Sequence, residues 1–160
     1  MIKILAIDPG YDRCGIALLD TEGAILHSAC ITTDKKDSIE KRLAYIYTEA
    51  EKILMQEKPA YIALETLFFS VNKKTVINVA QARGVFVLLA GLHKIPLIEL
   101  SPQEVKLALT GIGNANKEQV QKMVQLTLHI NTDKKLDDEI DAIALGIASL
   151  GAIKQKNWEL

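Results

Sequence analysis

A mixed α/β layer fold, with helices covering a sheet, is what this 160-residue sequence predicts. Three observations lead there. Short apolar runs of strand length end in an acid: residues 2–7 run into Asp8, and residues 61–64 into Glu65. Later stretches carry apolar residues at helical spacing and alternate with the strand-like runs. Sharp start signals mark several of those helices. The length suits one domain with its own core, so residues 1–160 are read as a single unit.

Residues 2–8 read as a buried strand broken by Pro9-Gly10. Residues 14–20 and 24–32 are two further strands, joined by a hairpin turn at Asp20-Thr21-Glu22-Gly23. A helix follows, with Asp37 as its predicted cap and Glu40 reaching back. Its apolar face holds Ile39, Leu43, Ile46, Tyr47, Ala50, Ile53 and Leu54. Pro59 ends it and opens the strand 60–65. A connector, 66–72, leads to a long helix over about 73–93, rich in small residues (Ala80, Ala82, Gly84, Ala90, Gly91) that allow close packing on a neighbour. A short strand, 97–100, precedes Ser101-Pro102-Gln103-Glu104, a capping box with proline at the first helical position. Asn116 with Gln119 marks the start of the next helix, about 117–129. The last helix spans about 137–153, with Leu136, Ile140, Ile143, Ala144, Ile147 and Ala148 toward the core.

Composition narrows the function. Apolar residues are 49% and charged residues 24%, ordinary for a globular protein. No apolar run reaches membrane-spanning length, and Met1 leads into a strand without a signal-peptide layout, so a cytoplasmic protein without a membrane partner is expected. Cys14 and Cys30 are too few and too isolated for a zinc site. His27, His93 and His129 are scattered, and Gly111-Ile112-Gly113 lacks both the third glycine and the preceding strand of a dinucleotide fingerprint. Net charge is −1, so any nucleic-acid binding must come from a local basic patch. Two patches qualify: Lys73-Lys74 close after Phe68-Phe69, and Lys106, Lys117 and Lys122 around the loop 111–116. Lysines there suit a phosphate backbone, and the aromatics suit stacking on an unpaired base.

The chemistry centres on four acids from three segments: Asp8, Glu65, Asp138 and Asp141. Singly each has an ordinary explanation. Asp8 precedes a turn, Glu65 ends a strand, and Asp138 lies with Asp137 and Glu139 in a helix first turn, where acids are favoured. Asp141 sits among apolar residues and is harder to dismiss. Together they point to a divalent-cation site, because gathered carboxylates are costly unless paired or metal-bound. Carboxylates that hold two cations suit phosphodiester displacement.

With these residues in view, the sequence resembles the RuvC family of bacterial Holliday-junction resolvases over nearly its whole length. Ile7-Asp8-Pro9-Gly10 with Gly15 carries the first motif, and Glu65 with Phe68 the second. Gln81-Ala82-Arg83-Gly84, the stretch from Val105-Lys106 through Gly111-Ile112-Gly113 to Lys117 and Val120-Gln121, and Asp138-x-x-Asp141-Ala142 carry the rest. The resemblance implies an RNase H-like fold with a mixed five-stranded sheet, a homodimer, and two magnesium (or manganese) ions per active site. It implies paired symmetric nicks in four-way DNA junctions, a preference for thymine-containing sites, and RuvA and RuvB as partners. Asp8, Glu65, Asp138 and Asp141 would be the metal-binding catalytic acids, and Lys117 would steady the scissile phosphate. Phe68 would stack on a base near the crossover. Phe69, Lys73, Lys74, Arg83 and Lys106 would be further substrate contacts, and the helix bearing Arg83 would form much of the dimer interface. Tyr11-Asp12-Arg13 departs from the family pattern by placing an acid where a basic residue is usual, with Arg13 one position later. The rivals are an RNase H-like nuclease acting on RNA and a catalytically silent DNA-binding module. A sugar-kinase or actin-like ATPase needs a second similar domain, for which this chain is too short.

Overall fold

The computed structural model describes residues 1–67 and 76–156. Its elements run β1 (Lys3–Asp8), β2 (Arg13–Asp20), β3 (Ile25–Thr32), α1 (Ile39–Glu57), β4 (Tyr61–Glu65), α2 (Val76–Leu92), β5 (Leu97–Leu100), α3 (Pro102–Thr110), α4 (Lys117–Leu128) and α5 (Asp137–Lys156). The sheet order is β3-β2-β1-β4-β5. β1, β2 and β3 form an antiparallel meander, while β4 and β5 add on in parallel. The parallel additions are the ones reached through helical crossovers, as their geometry requires.

Side chains alternate across the sheet, and each face has its own core. Leu5, Ile7, Cys14, Ile16, Leu18, Ile62 and Leu64 pack against Ile46, Ala50 and Leu54 of α1 and Ala82, Phe86 and Leu89 of α2. Ile4, Ala6, Ala17, Leu19 and Ala63 pack against α3, α4 and α5 through residues such as Val105, Val124 and Ile143. Among the described residues no helix is long and apolar enough to cross a membrane.

The capping boxes at Ser101 and Asn116 are both formed, each with side chain and backbone bonded reciprocally. The cap of α1 is different from the one its sequence predicts. Asp37 closes a turn with its N–H on the Asp34 carbonyl at 3.1 Å, and the extended residue that starts the helix is Ser38. Glu40 therefore stands at the second helical position, one short of a capping box, and takes a hydrogen bond from the Ser38 hydroxyl instead. Leu136 precedes α5 and is exposed rather than core-facing. It lies in the turn that starts the helix, where its carbonyl accepts from Glu139 and Ile140, so the helical face predicted for it begins only further along.

Candidate active site

Period-two alternation already decides which acids meet. Ile4, Ala6 and Asp8 share one face of β1, and Ala63 and Glu65 share the same face of β4. The two strands are parallel and paired through Ile7 and Leu64, so Asp8 and Glu65 follow as neighbours at their carboxyl ends. Open α/β sheets bind ligands at that edge.

The helix α5 brings the remaining acids over this edge, and glycines let it come close. Asp8 pairs across the antiparallel ladder with Gly15. A Cβ at Gly15 would stand 1.7 Å from the Asp138 carbonyl oxygen, so the first turn of α5 rests directly on the β2 backbone. At Gly146 a Cβ would meet Leu19 at 2.3 Å and Ala6 at 3.3 Å, so the approach stays tight further along α5. A polar clamp fixes the helix start. Lys135 Nζ donates to Glu139 at 2.6 Å and to Ser28 Oγ at 2.9 Å, and Ser28 donates to Glu139 at 2.6 Å.

Asp8, Glu65, Asp141, Lys106 and Lys117 line one pocket of about 220 Å³, walled on its apolar side by residues such as Val105 and Leu145. Asp138 does not line it. Residues three apart on a helix differ by about 60° in direction, and Asp138 opens instead on a neighbouring basin beside Arg13. Arg13 Nε lies 2.9 Å from Asp138 Oδ2, yet Oδ2 is shut off from solvent and accepts no aligned hydrogen bond. The Asp138 charge still reaches the pocket, where it contributes to the shift of Asp8.

The electrostatics are those of acids held together against their mutual repulsion. Burial first, then Glu65, Asp141 and Asp138, push the Asp8 carboxyl up to about 8, with Lys117 opposing. Burial and then Asp141 raise Glu65 to about 7, with Lys106 opposing. Burial also raises Asp141, whose charge Lys117 partly compensates. Lys117 Nζ bridges Asp137 at 3.2 Å and Asp141 at 3.3 Å. Burial works against its positive charge, but the two carboxylates outweigh burial and raise its pKa.

The donors fit a hard divalent cation: carboxylate oxygens only, three of them in carboxyls whose charge nearby lysines do not cancel, and a fourth carboxylate with an oxygen lacking a hydrogen bond. Among the described residues no three acidic, histidine or cysteine side chains yet stand close enough to form a finished cage. The acids face each other across the pocket instead, with Lys117 on Asp141 and Arg13 on Asp138.

The other predicted contacts scatter. Arg83 donates from Nε to the Glu65 carbonyl at 3.2 Å and pairs with Glu99, which fixes the backbone that carries Glu65. Lys122 is exposed. Phe68, Phe69, Lys73 and Lys74 lie outside the described residues. The first-loop acid, Asp12, is tied to the buried Arg42, a residue the sequence reading passed over. A cation on the same helical stripe as Ile39 and Ile46 was the available signal, since a buried charge needs a partner.

Comparison with known proteins identifies the family and the fold. The family model described as crossover junction endodeoxyribonuclease RuvC matches residues 4–149. Crossover junction endodeoxyribonuclease RuvC of Brachyspira hyodysenteriae is 42% identical over 90% of this chain and 91% of its own. The protein of the same name from Thermosipho melanesiensis is 43% identical over 90% and 94%. The structure of Thermus thermophilus RuvC in complex with Holliday junction substrate superposes with a TM-score of 0.88 at 25% identity, covering 97% of both chains.

Proposed function

The chain belongs to the RuvC family of crossover junction endodeoxyribonucleases, and we infer that it resolves four-way (Holliday) DNA junctions by paired symmetric nicks in recombination and repair. It is a metal-dependent nuclease. The observation that carries the reading of its site is the pocket at the carboxyl edge of β1 and β4, where three acids and two lysines converge.

In this reading Asp8, Glu65 and Asp141 would hold two magnesium ions, which manganese could replace, and Asp138 would contribute from the adjacent basin. Such ions supply Lewis acidity and an activated water for in-line attack at phosphorus. Asp8 and Glu65 must each be unprotonated to serve as ligands. With pKa values raised to about 8 and about 7, they shed protons as they do so at neutral pH. Lys117, which lines the pocket and bridges Asp141 and the neighbouring Asp137, would neutralise the scissile phosphate. Lys106 faces the same space and suits a neighbouring phosphate. The apolar wall thins the water around these charges, which strengthens every electrostatic contact in the transition state. Contacts of Phe68, Phe69, Lys73, Lys74 and Arg83 with DNA rest on the family resemblance.

A homodimer is supported by α2. It is apolar on nearly every side, and Ile77, Leu88 and Leu92 are more than half exposed beside Gly84 and Gly91, which leave room for a second backbone. Two such copies would cut strands of like polarity. RuvA and RuvB as partners and a cytoplasmic setting follow from the family alone.

The test is incubation with a synthetic mobile four-way junction in magnesium or in EDTA, mapping cuts on all four arms. Symmetric, ligatable nicks in two opposed strands, only with the cation, are expected. Preferential cutting of RNA, or silence under every divalent ion, overturns the reading.

A further inference from the structure

Two arginine–aspartate pairs sit on consecutive residues, Asp12 at the end of the β1–β2 loop and Arg13 at the start of β2, and they are made differently. Asp12 is held by the buried Arg42, which also donates from Nε to Thr33 Oγ1 and from Nη2 to the Tyr11 carbonyl, each at 2.9 Å. The Arg42 guanidinium lies over the Tyr11 ring at 4.9 Å. Thr33 donates from its hydroxyl to the Tyr11 carbonyl at 2.7 Å and from its N–H to the Asp12 carbonyl at 3.0 Å. This pair is a fully bonded fastening that pins the loop backbone to the sheet edge.

Arg13, the next residue, has its backbone in the ladder opposite Thr32, but its side chain is held by a single contact. Its guanidinium is drawn to Asp138 by charge, at 2.9 Å, without aligning an N–H on the carboxylate oxygen it approaches. A buried carboxylate oxygen without a hydrogen bond is destabilised, so the contact is electrostatically favourable but chemically incomplete. The Arg13 side chain is 45% exposed and faces an open basin of about 630 Å³, which Asp12 also lines together with Lys35, an exposed lysine held to Asp12 only at a loose 3.6 Å. The pair is thus easy to open from the Arg13 side, and the loop backbone would stay where Arg42 holds it.

We propose that Arg13 is a place-holding cation. It neutralises Asp138 until a divalent ion takes that carboxylate, and the released guanidinium then turns into the basin, where with Lys35 it grips a phosphate of the DNA strand. Cation loading and DNA binding are thereby coupled through one side chain. The inference rests on reading Asp138 as a cation ligand.

The experiment titrates Mn²⁺ into the wild-type protein and into Arg13→Ala, Arg13→Gln and Arg13→Lys, reading free Mn²⁺ by electron paramagnetic resonance. Junction affinity is then measured by fluorescence anisotropy in Ca²⁺ and in EDTA. Arg13→Ala and Arg13→Gln are expected to bind Mn²⁺ about two- to fivefold more tightly, the size of a partly exposed ion pair removed as competitor. Arg13→Lys should stay near wild type. The factor by which Ca²⁺ tightens junction binding should fall in the two neutral variants by a similar amount, because linkage is reciprocal. Thermal melting confirms that each variant is folded, and two different neutral substitutions guard against one that is not. If wild type binds Mn²⁺ and both neutral variants bind it equally or more weakly, the place-holder idea is wrong while the cation site stands. If wild type binds no Mn²⁺ at all, both fall.

Discussion

The two faces of the sheet come from alternate residues of the same strands, yet they are built from opposite materials. Toward α1 and α2 the strands present Leu5, Ile7, Ile16, Leu18, Ile62 and Leu64, large side chains that are fully buried. Toward α5 they present Ile4 and Leu19 at one end, then the small residues Ala6, Ala17, Ala63 and Gly15, and they finish in Asp8 and Glu65. Bulk along the whole of one face gives cohesion and holds the helices at a side chain's distance. Small residues toward the acid end of the other let the start of α5 descend until backbone meets backbone, and that descent brings Asp141 over Asp8 and Glu65. The stable face supplies the free energy that the strained, acid-crowded face consumes.

Asp8→Asn strikes the acid face at its centre and carries the largest expected effect. Junction nicking in magnesium should drop about a thousandfold or more, on the order of 4 kcal/mol of transition-state stabilisation. The fold should survive, because the change removes a costly buried charge rather than a packing group. Gel-based nicking assays beside circular dichroism would show this. A folded variant that still nicks at near wild-type rate would remove Asp8 from the site.

The next comparison sets adjacent residues of β2 against each other. Ile16→Ala empties a fully buried position on the α1–α2 face and should cost about 2–5 kcal/mol. Gly15→Ala places a Cβ on the Asp138 carbonyl and should cost about 1–3 kcal/mol or more. Urea denaturation measures both losses. The faces differ in what happens to activity. Per folded molecule, below its melting temperature, Ile16→Ala should nick normally and Gly15→Ala should not, because only the second lifts α5 from the acids. Equal activity in the two variants would mean that the close approach has no functional consequence.

Acidity separates the faces further. Asp8 and Glu65 titrate at about 8 and about 7 in the folded chain, against 3.8 and 4.5 ordinarily. The folded state therefore binds more protons than the unfolded chain between about pH 4 and pH 8, so stability falls as pH rises through that window. In EDTA the melting temperature should decline by roughly 10–20 °C from pH 5 to pH 8, corresponding to about 6 kcal/mol if both shifts act in full. Asp8→Asn should remove much of that slope. A melting temperature that rises over the same range would contradict the crowding of the acids.

Much of this arrangement was legible in the sequence because it is written in local periodicity. Strands that end in an acid, a proline-led capping box at Ser101 and its counterpart at Asn116 all depend on near neighbours, and they form where expected. What was not legible depends on contacts between distant segments. Asp138 and Asp141 share a helix, but Arg13 and the tilt of one residue relative to the other set them in different pockets. Arg42 reads as a surface cation until the loop carrying Asp12 folds over it. Lys117 is recognisable by motif, but its bridge to Asp137 needs α4 and α5 to meet.

The smallest effect concerns the helix starts on the two faces. On the acid side, Ser101 Oγ accepts the Glu104 N–H at 3.2 Å, while the Glu104 carboxylate takes the Ser101 N–H at 2.7 Å, so two donors at the start of α3 are satisfied reciprocally. On the other side, Ser38 makes no side-chain capping bond to α1, since the Asp34–Asp37 turn sets Glu40 one position too early. Ser101→Ala should therefore cost about 1 kcal/mol, as loss of a working cap does, and Ser38→Ala only a few tenths. The same residue type, at the same formal position, carries different weight because one helix must hold a pocket wall through Val105 while the other is already fixed by its apolar stripe. Equal losses in paired urea titrations would show that the Ser38 hydroxyl reaches the backbone in solution and that the two helix starts are alike.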